Sequence, residues 1–584
     1  MILDKVNSPA DLKLLPFEEL PELASDIRKT VLNKVSQVGG HVGPNLGVVE
    51  MTIALHRVFE SPHDKFVWDV SHQSYPHKIL TGRKYGFTEG HFHDITPYTS
   101  QAESEHDFFT VGHTSTSIAN AMGLAKARDL RGEDGNVVAI IGDGSISGGL
   151  AMEALNNAGD YEGNLIIIFN DNQMSIAENH GGIYKNLAEL RETHGFAENN
   201  FFKGFGLDYY YVEEGNRVDI LIETLEKFKN IDHPIVLHVK TEKGMGYQPA
   251  MEKKESFHWH AAFDLETGEN KRTGGEDPYT RATLDFMKEK VAANEPLIAI
   301  NAAIPALFNL KEFAAAYPER YYDAGIAEQF TITFGGAIAA GGARPIIFHN
   351  STFLQRAYDQ VWHDLAVNNE PAVVIVRGDS ISASDTTHQG DFAKGWISNI
   401  PNLIFLAPTT VAEFKSMLEW ATTQREHPVF INLPAHTATE HAVSLSSYDK
   451  AHYQVLEKGA KVALLGLGGM LEQTEKISAA LKEQGIQPSL LNALFISELD
   501  KDTLNQLASS HEVIVTLEDG VLDGGFGQKV AGFLGKYDVK VLTLGAEKEF
   551  NEEVPVSELY NRYHLSADIA AKDIVGLLSS KQAV

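Results

Sequence analysis

Cysteine is absent from the 584 residues, which removes disulfides, thiolate metal sites and cysteine nucleophiles together and is compatible with a reducing compartment. Positive charge is scarce. The chain carries 49 Lys and Arg against 79 Asp and Glu, a formal net charge of -30, so its average surface repels phosphate backbones and anionic lipid, and an anionic ligand needs a local, preorganised site. Long apolar runs are missing as well: no stretch of about 18 uninterrupted apolar residues occurs, and MILDKVNSPADLKLLP at the start has no basic segment followed by an apolar one. The expectation is a soluble cytoplasmic protein with small-molecule substrates and with neither nucleic acid nor membrane among its partners.

What is present is a succession of short apolar runs with helical patterns between them: 137–141, 165–169, 235–239, 345–348, 372–376, 462–465, 513–517 and 539–544. Their continuous rather than alternating apolar character predicts parallel strands covered on both faces, hence α/β units. A chain of this length exceeds one hydrophobic core. Two aperiodic stretches rich in Gly, Thr, Ser and charge, 265–280 and 436–450, read as connectors, and the expected domains are 1–270, 275–440 and 450–584.

The run at 137–141 ends in GDGSISGG (142–149). Gly142 and Gly144 are expected to permit unusual backbone angles and close approach of a ligand. The following GLAMEALNNAG places Leu150, Ala154, Leu155 and Ala158 near one face of a helix. A helix N-terminus facing the carboxyl end of a strand is an anion site, and Asp143 would repel that anion unless a cation lay between. The run at 165–169 ends in NDN (170–172) at the same expected edge, and a carboxylate with a carboxamide suits Mg2+ or Ca2+ that keeps phosphate oxygens and water as its other ligands.

GDG followed by NDN resembles the signature of thiamine diphosphate-dependent enzymes. More finely, the chain is similar to the 1-deoxy-D-xylulose 5-phosphate synthase family over nearly its whole length, through WDVSHQSYPHKILTGR (68–83), VGHTSTSIANAMGLA (111–125), NDNQMSIAEN, TEKGMGYQPA (241–250), STFLQRAYDQVWHDLA (351–366) and THQGDF (387–392), in that order. The resemblance implies an α/β fold of three domains with mostly parallel sheets flanked by helices, transketolase-like, in a homodimer. It implies transfer of a two-carbon unit from decarboxylated pyruvate to D-glyceraldehyde 3-phosphate in isoprenoid biosynthesis, with thiamine diphosphate and Mg2+ as cofactors. Carried over residue by residue, it assigns the metal to Asp143, Asn172 and the carbonyl of Met174. It assigns the cofactor to His72, His113, Gly142, Gly144, Ser145, Asn172, Lys243 and Phe353. Glu328, in YYDAGIAEQF, becomes the acid that activates the aminopyrimidine, joined by His41, His258 and His388 as catalytic groups. Arg356, Arg377 and His388 fall to the substrate. His77 is read as structural, and the third domain receives no chemistry.

Four departures surround the expected acceptor pocket. The usual phosphate arginine is replaced by Ala435 in INLPAH, the usual aromatic before STFLQR is Asn350, the acidic residue expected four before His388 is Ser384 with Asp385 displaced by one, and 213–217 read EEGNR. Bidentate guanidinium contacts are what hold a phosphate dianion firmly. Either Arg356, Arg377 and His436 suffice for that phosphate, or the enzyme is a transketolase-like carboligase for another aldehyde or ketose. A non-catalytic thiamine diphosphate-binding homologue would lack Glu328. A nicotinamide oxidoreductase would rest on GLGGM (466–470), which lacks G-x-G-x-x-G spacing.

Overall fold

The computed structural model describes residues 1–271, 275–439, 441–443 and 445–579. Parts of both expected connectors (272–274, 440 and 444) and the last residues of the third expected domain (580–584) lie outside the described residues. The chain forms two compact units: Met1–Gly275 with Gly325–Ala327, and Glu276–Ala324 with the chain from Glu328 onward.

The first unit holds a wholly parallel sheet of β1 (Lys65–Trp68), β2 (Val137–Gly142), β3 (Leu165–Asp171), β4 (Asp208–Val212) and β5 (Pro234–Lys240), in the order β1-β2-β3-β5-β4. Alternate residues of one strand feed different cores. Val138, Ile140, Ile166 and Ile168 pack on one face, Val137, Ala139, Leu165 and Ile167 on the other, and so the strands read as unbroken apolar runs.

Two expectations about the turn after β2 need correction. Neither Gly142 nor Gly144 has a positive φ. A Cβ on Gly144 would come within 2.3 Å of Ser175 Cβ, whereas one on Gly142 would meet nothing within 4 Å; glycine at 144 is therefore required by the chain that follows β3. In the helix Gly149–Ala158 the buried face is Ala151, Ala154, Leu155 and Ala158, and Leu150 is 43% exposed. Residue 151 lies three before 154, four before 155 and seven before 158, at the centre of that face, whereas 150 lies five before 155 and falls at its margin.

The second unit holds two sheets. The first comprises β6 (Leu297–Asn301), β7 (Tyr321–Asp323), β8 (Arg344–Asn350), β9 (Val373–Arg377), β10 (Ile404–Leu406) and β11 (Val429–Asn432), ordered β10-β11-β9-β8-β6-β7 and parallel throughout. The other comprises β12 (Gln454–Glu457), β13 (Lys461–Gly466), β14 (Ser489–Asn492), β15 (His511–Val521) and β16 (Lys540–Ala546), ordered β12-β14-β13-β15-β16; only β12 runs antiparallel. One core joins them: Ile347 and Val374 of the six-stranded sheet share it with Ala463, Leu465 and Ile514 of the other. The second and third blocks are thus packed as one body. Among the described residues no helix is long and apolar enough to cross a membrane.

Candidate functional site

Parallel pairing brings the carboxyl ends of neighbouring strands to one edge, and in the first unit the register is direct. Gly142 pairs with Asn170, Asp171 with Lys240 and Trp68 with Ile140. Asp143, Asn172, Lys243 and the loop Asp69–His72 therefore follow four adjacent strand ends.

Asp143 is buried. Its Oδ2 accepts from Asn179 Nδ2 at 2.8 Å and its carbonyl from the Tyr184 hydroxyl at 3.0 Å. Burial and the nearby Asp171 carboxylate push the Asp143 carboxyl above its ordinary range, against the pull of Lys243. The three residues of NDN have different fates. Asn170 Oδ1 accepts from the Thr241 hydroxyl at 2.6 Å. Asp171 is locked by Arg191 at 2.6 Å and by His238 Nε2 at 2.8 Å, whose Nδ1 in turn accepts from Tyr209. Only Asn172 keeps a buried Oδ1 with no hydrogen-bond partner among the described residues, and Asn179 Oδ1 is in the same condition. No cluster of three or more His, Cys, Asp or Glu arranged for a metal occurs among the described residues; a cation here must draw on carboxamide and carbonyl oxygens beside the one carboxylate. That donor set, with orphaned buried oxygens, fits a hard divalent ion. Met174 lies half-buried in the turn after Asn172, bridged to Glu178.

Ser145 is buried, its carbonyl accepting from Ser115 Oγ at 2.8 Å. Lys243 is buried too, donating to the Ser175 carbonyl at 2.6 Å and to His258 Nδ1 at 3.2 Å. Desolvation lowers its ammonium to about 8. His258 is held well below the ordinary imidazole range by burial, Lys243, His72 and His41, so it is neutral, with its proton on Nε2. The His258 ring stacks on His72 at 5.0 Å, and His41 meets both edge-on at 5.7 and 5.0 Å. His113 sits half-buried in the loop before the helix Ser117–Arg131. Asp69 fixes that loop by accepting from the amides of Ser115 and Ser117.

Residues with no sequence signal hold this group in place. Asn45, fully buried, donates to the carbonyls of His41 and His72, both at 2.8 Å, and accepts from the Tyr75 amide. Asn216, inside the divergent EEGNR, donates to the Gly47 carbonyl and accepts from the Glu242 amide beside Lys243. His77 stands in a buried relay: His56 Nε2 donates to His77 Nδ1 at 2.9 Å, and His77 Nε2 to Asp107 at 3.0 Å.

In the second unit Asn350 pairs with Arg377 across β8 and β9, and Val376 with Asn432 across β9 and β11. Glu328 opens the helix Glu328–Ala340 and is buried. Burial raises its carboxyl while Arg356, 3.4 Å from Oε2, pulls it down. The Thr331 hydroxyl donates to the Glu328 carbonyl at 2.7 Å, so the 2.8 Å contact with His349 has His349 Nε2 as donor. Phe353 lies edge-on to His388 at 5.7 Å. The acid displaced by one position still reaches its histidine: Asp385 Oδ1 lies 3.3 Å from His388 Nδ1.

Arg377 Nη1 is bound to Asp277 at 2.7 Å, Thr280 at 3.1 Å and the Leu307 carbonyl at 3.2 Å. Ala435 and His436 are exposed past β11. Asn350, in place of the aromatic, caps the short helix Ser351–Leu354 through the Thr352 amide, and Ser384 Oγ pairs with Ser382.

Comparison with known proteins follows the same division. Residues 3–199 match the family described as 1-deoxy-D-xylulose-5-phosphate synthase, 278–439 the transketolase pyrimidine binding domain and 451–569 the transketolase C-terminal domain. A transketolase structure from Pichia stipitis is 16% identical, covering 96% of this chain and 98% of that one, with a TM-score of 0.43. The 1-deoxy-D-xylulose-5-phosphate synthase of Clostridium tetani is 36% identical, covering 99% of both chains. Synthase 1 of Geobacter metallireducens is 39% identical over 97% of both. With identity of this degree from end to end, the chain belongs to the 1-deoxy-D-xylulose-5-phosphate synthase family.

Proposed function

We propose that the protein is a thiamine diphosphate- and Mg2+-dependent transferase that joins the two-carbon unit left by decarboxylation of pyruvate to D-glyceraldehyde 3-phosphate, giving 1-deoxy-D-xylulose 5-phosphate and carbon dioxide. The observation that carries this reading is the sheet edge of the first unit, where buried Asp143, the orphaned Oδ1 of Asn172 and buried Lys243 converge in a chain similar to synthases throughout. When bound, thiamine diphosphate supplies a carbanion-stabilising thiazolium. Asp143, Asn172 and the Met174 carbonyl hold the cation, and Lys243 with His72 and His113 receives the diphosphate. Glu328, whose carboxyl burial pushes upward, is the acid that would meet the aminopyrimidine, and Phe353 would pack against that ring. His258, kept neutral by burial, and His41 beside it accept or donate single protons. His388, whose Nδ1 contacts Thr387 and Asp385, is the imidazole that meets the substrate.

Exposed Phe330 and Tyr322 near the start of the helix Glu328–Ala340, with Phe330 and Phe334 stacked at 5.1 Å and Tyr322 4.8 Å from Phe334, favour a second copy of the chain as the partner of that face. A carboligase for another aldehyde is favoured by one set of facts: Ala435 stands where an arginine is expected, and Arg377 is committed to Asp277. Incubating the protein with thiamine diphosphate, Mg2+ and pyruvate, offering glyceraldehyde 3-phosphate beside unphosphorylated glyceraldehyde and other sugars, and identifying products by mass separates the two. Preference for the phosphorylated acceptor supports the synthase; preference for an unphosphorylated one refutes it.

A further inference from the structure

His388 lies on a loop between β9 and the helix Ala393–Ile397. A connection of this length, without regular structure, depends on tethers outside itself. Here the third sheet and its following loop supply them from end to end.

At the root, Lys394 is buried between Asp379 at 3.2 Å and Asp519 at 2.9 Å. Asp519 follows the paired stretch of β15, and its carbonyl accepts from the Ile381 amide at 3.0 Å. At the far end the Val521 amide donates to the Asp391 carbonyl at 3.0 Å. The tip is held by the segment after β16: the Glu553 amide donates to the Ser384 carbonyl at 2.9 Å, and Glu552 Oε2 accepts from both the amide (3.0 Å) and the hydroxyl (2.6 Å) of Thr386. Thr386 stands between Asp385 and Thr387, the two residues that contact His388 Nδ1. Phe550, 74% exposed, lays its ring 5.9 Å from Phe392.

We propose that the third sheet is the fixture of the His388 loop, and that Glu552 is a positioning residue that sets His388 through Thr386. This rests on His388 serving the substrate, as given above. The third block thereby shares in the chemistry although it touches no reacting atom.

Glu552 is exposed, so its replacement spares the fold, and the full chain loaded with thiamine diphosphate and Mg2+ is the material to use. In Glu552→Ala, amide hydrogen exchange over residues 382–389 should rise about tenfold, as two hydrogen bonds to a carboxylate are lost. kcat/KM for pyruvate should fall about tenfold while thiamine diphosphate affinity changes by less than about twofold. Glu552→Gln keeps a side-chain oxygen for the Thr386 amide and should recover both to within about threefold of wild type. Exchange in Glu552→Ala within about twofold of wild type, or Glu552→Gln as impaired as Glu552→Ala, overturns the proposal. Full turnover by His388→Ala would instead refute the role of His388, and the exchange result would still decide whether Glu552 holds the loop.

Discussion

The two units hold the groups proposed to react by different means. In the first, Asp143, Asn172 and Lys243 follow strand ends that register brings together, and the residues behind them are buried pairs such as Asp171 with Arg191 and His238. In the second, His388 rides on a loop whose order is supplied by charges and amides of another sheet. A site built on register is legible from strand endings. A site built on a tethered loop depends on residues far away in sequence, and its weak points lie there.

The comparison can be broken at several places. The largest effect is expected at Glu328: Glu328→Gln keeps its shape but removes the acid, and turnover should fall by about 10²–10⁴-fold with the cofactor still bound; wild-type rates would end the assigned role. Next, Lys394→Met leaves Asp379 and Asp519 facing each other in a buried site, with an expected loss of about 3–5 kcal/mol in denaturant unfolding. An unchanged midpoint would show that the loop needs no such root.

A smaller effect concerns pH. Burial drives His349 down to about 3, below the ordinary 6.5 of an unfolded imidazole. Between these values the unfolded chain binds the additional proton, so this contribution to stability is full above about pH 6.5 and declines as pH falls. Unfolding free energy measured by urea should lose up to roughly 3 kcal/mol from this group between pH 6.5 and 4, and His349→Asn should flatten the slope; an unaltered slope would contradict it. The smallest is a gain: Ala435→Arg should raise kcat/KM for the phosphorylated acceptor about tenfold if its guanidinium reaches the phosphate. No gain would mean that the acceptor phosphate lies elsewhere.

Much of the framework was visible beforehand because strands covered on both faces cannot hide their composition. All eight apolar runs became parallel strands. β4, reading DYYYV, is an edge strand with alternating exposure, and β12 is an antiparallel edge, so neither carries an unbroken apolar run. GDG and NDN marked the ends of β2 and β3, yet Gly144 is required by Ser175 and Leu150 faces outward. Asn45, Asn179 and Asn216 carry no role that the sequence reading assigns, since an asparagine acquires its role only from the carbonyls and carboxylates that tertiary structure brings to it. Asp385 was legible as a displaced acid, but a helical or turn spacing of three serves as well as four in reaching His388. The third block was assigned no chemistry because Glu552 and Asp519 lie more than a hundred residues from the loop they hold.

The central claim is that the sheet edge of the first unit moors thiamine diphosphate through a divalent cation. Calorimetric titration of the full chain with the cofactor, with and without Mg2+, tests it most directly, using wild type, Asp143→Ala and Asn172→Ala. Saturable binding that requires the cation and weakens by more than about tenfold, or 1.4 kcal/mol, in both variants is the result expected; a flat titration of wild type, or variants that bind as wild type does, would contradict it.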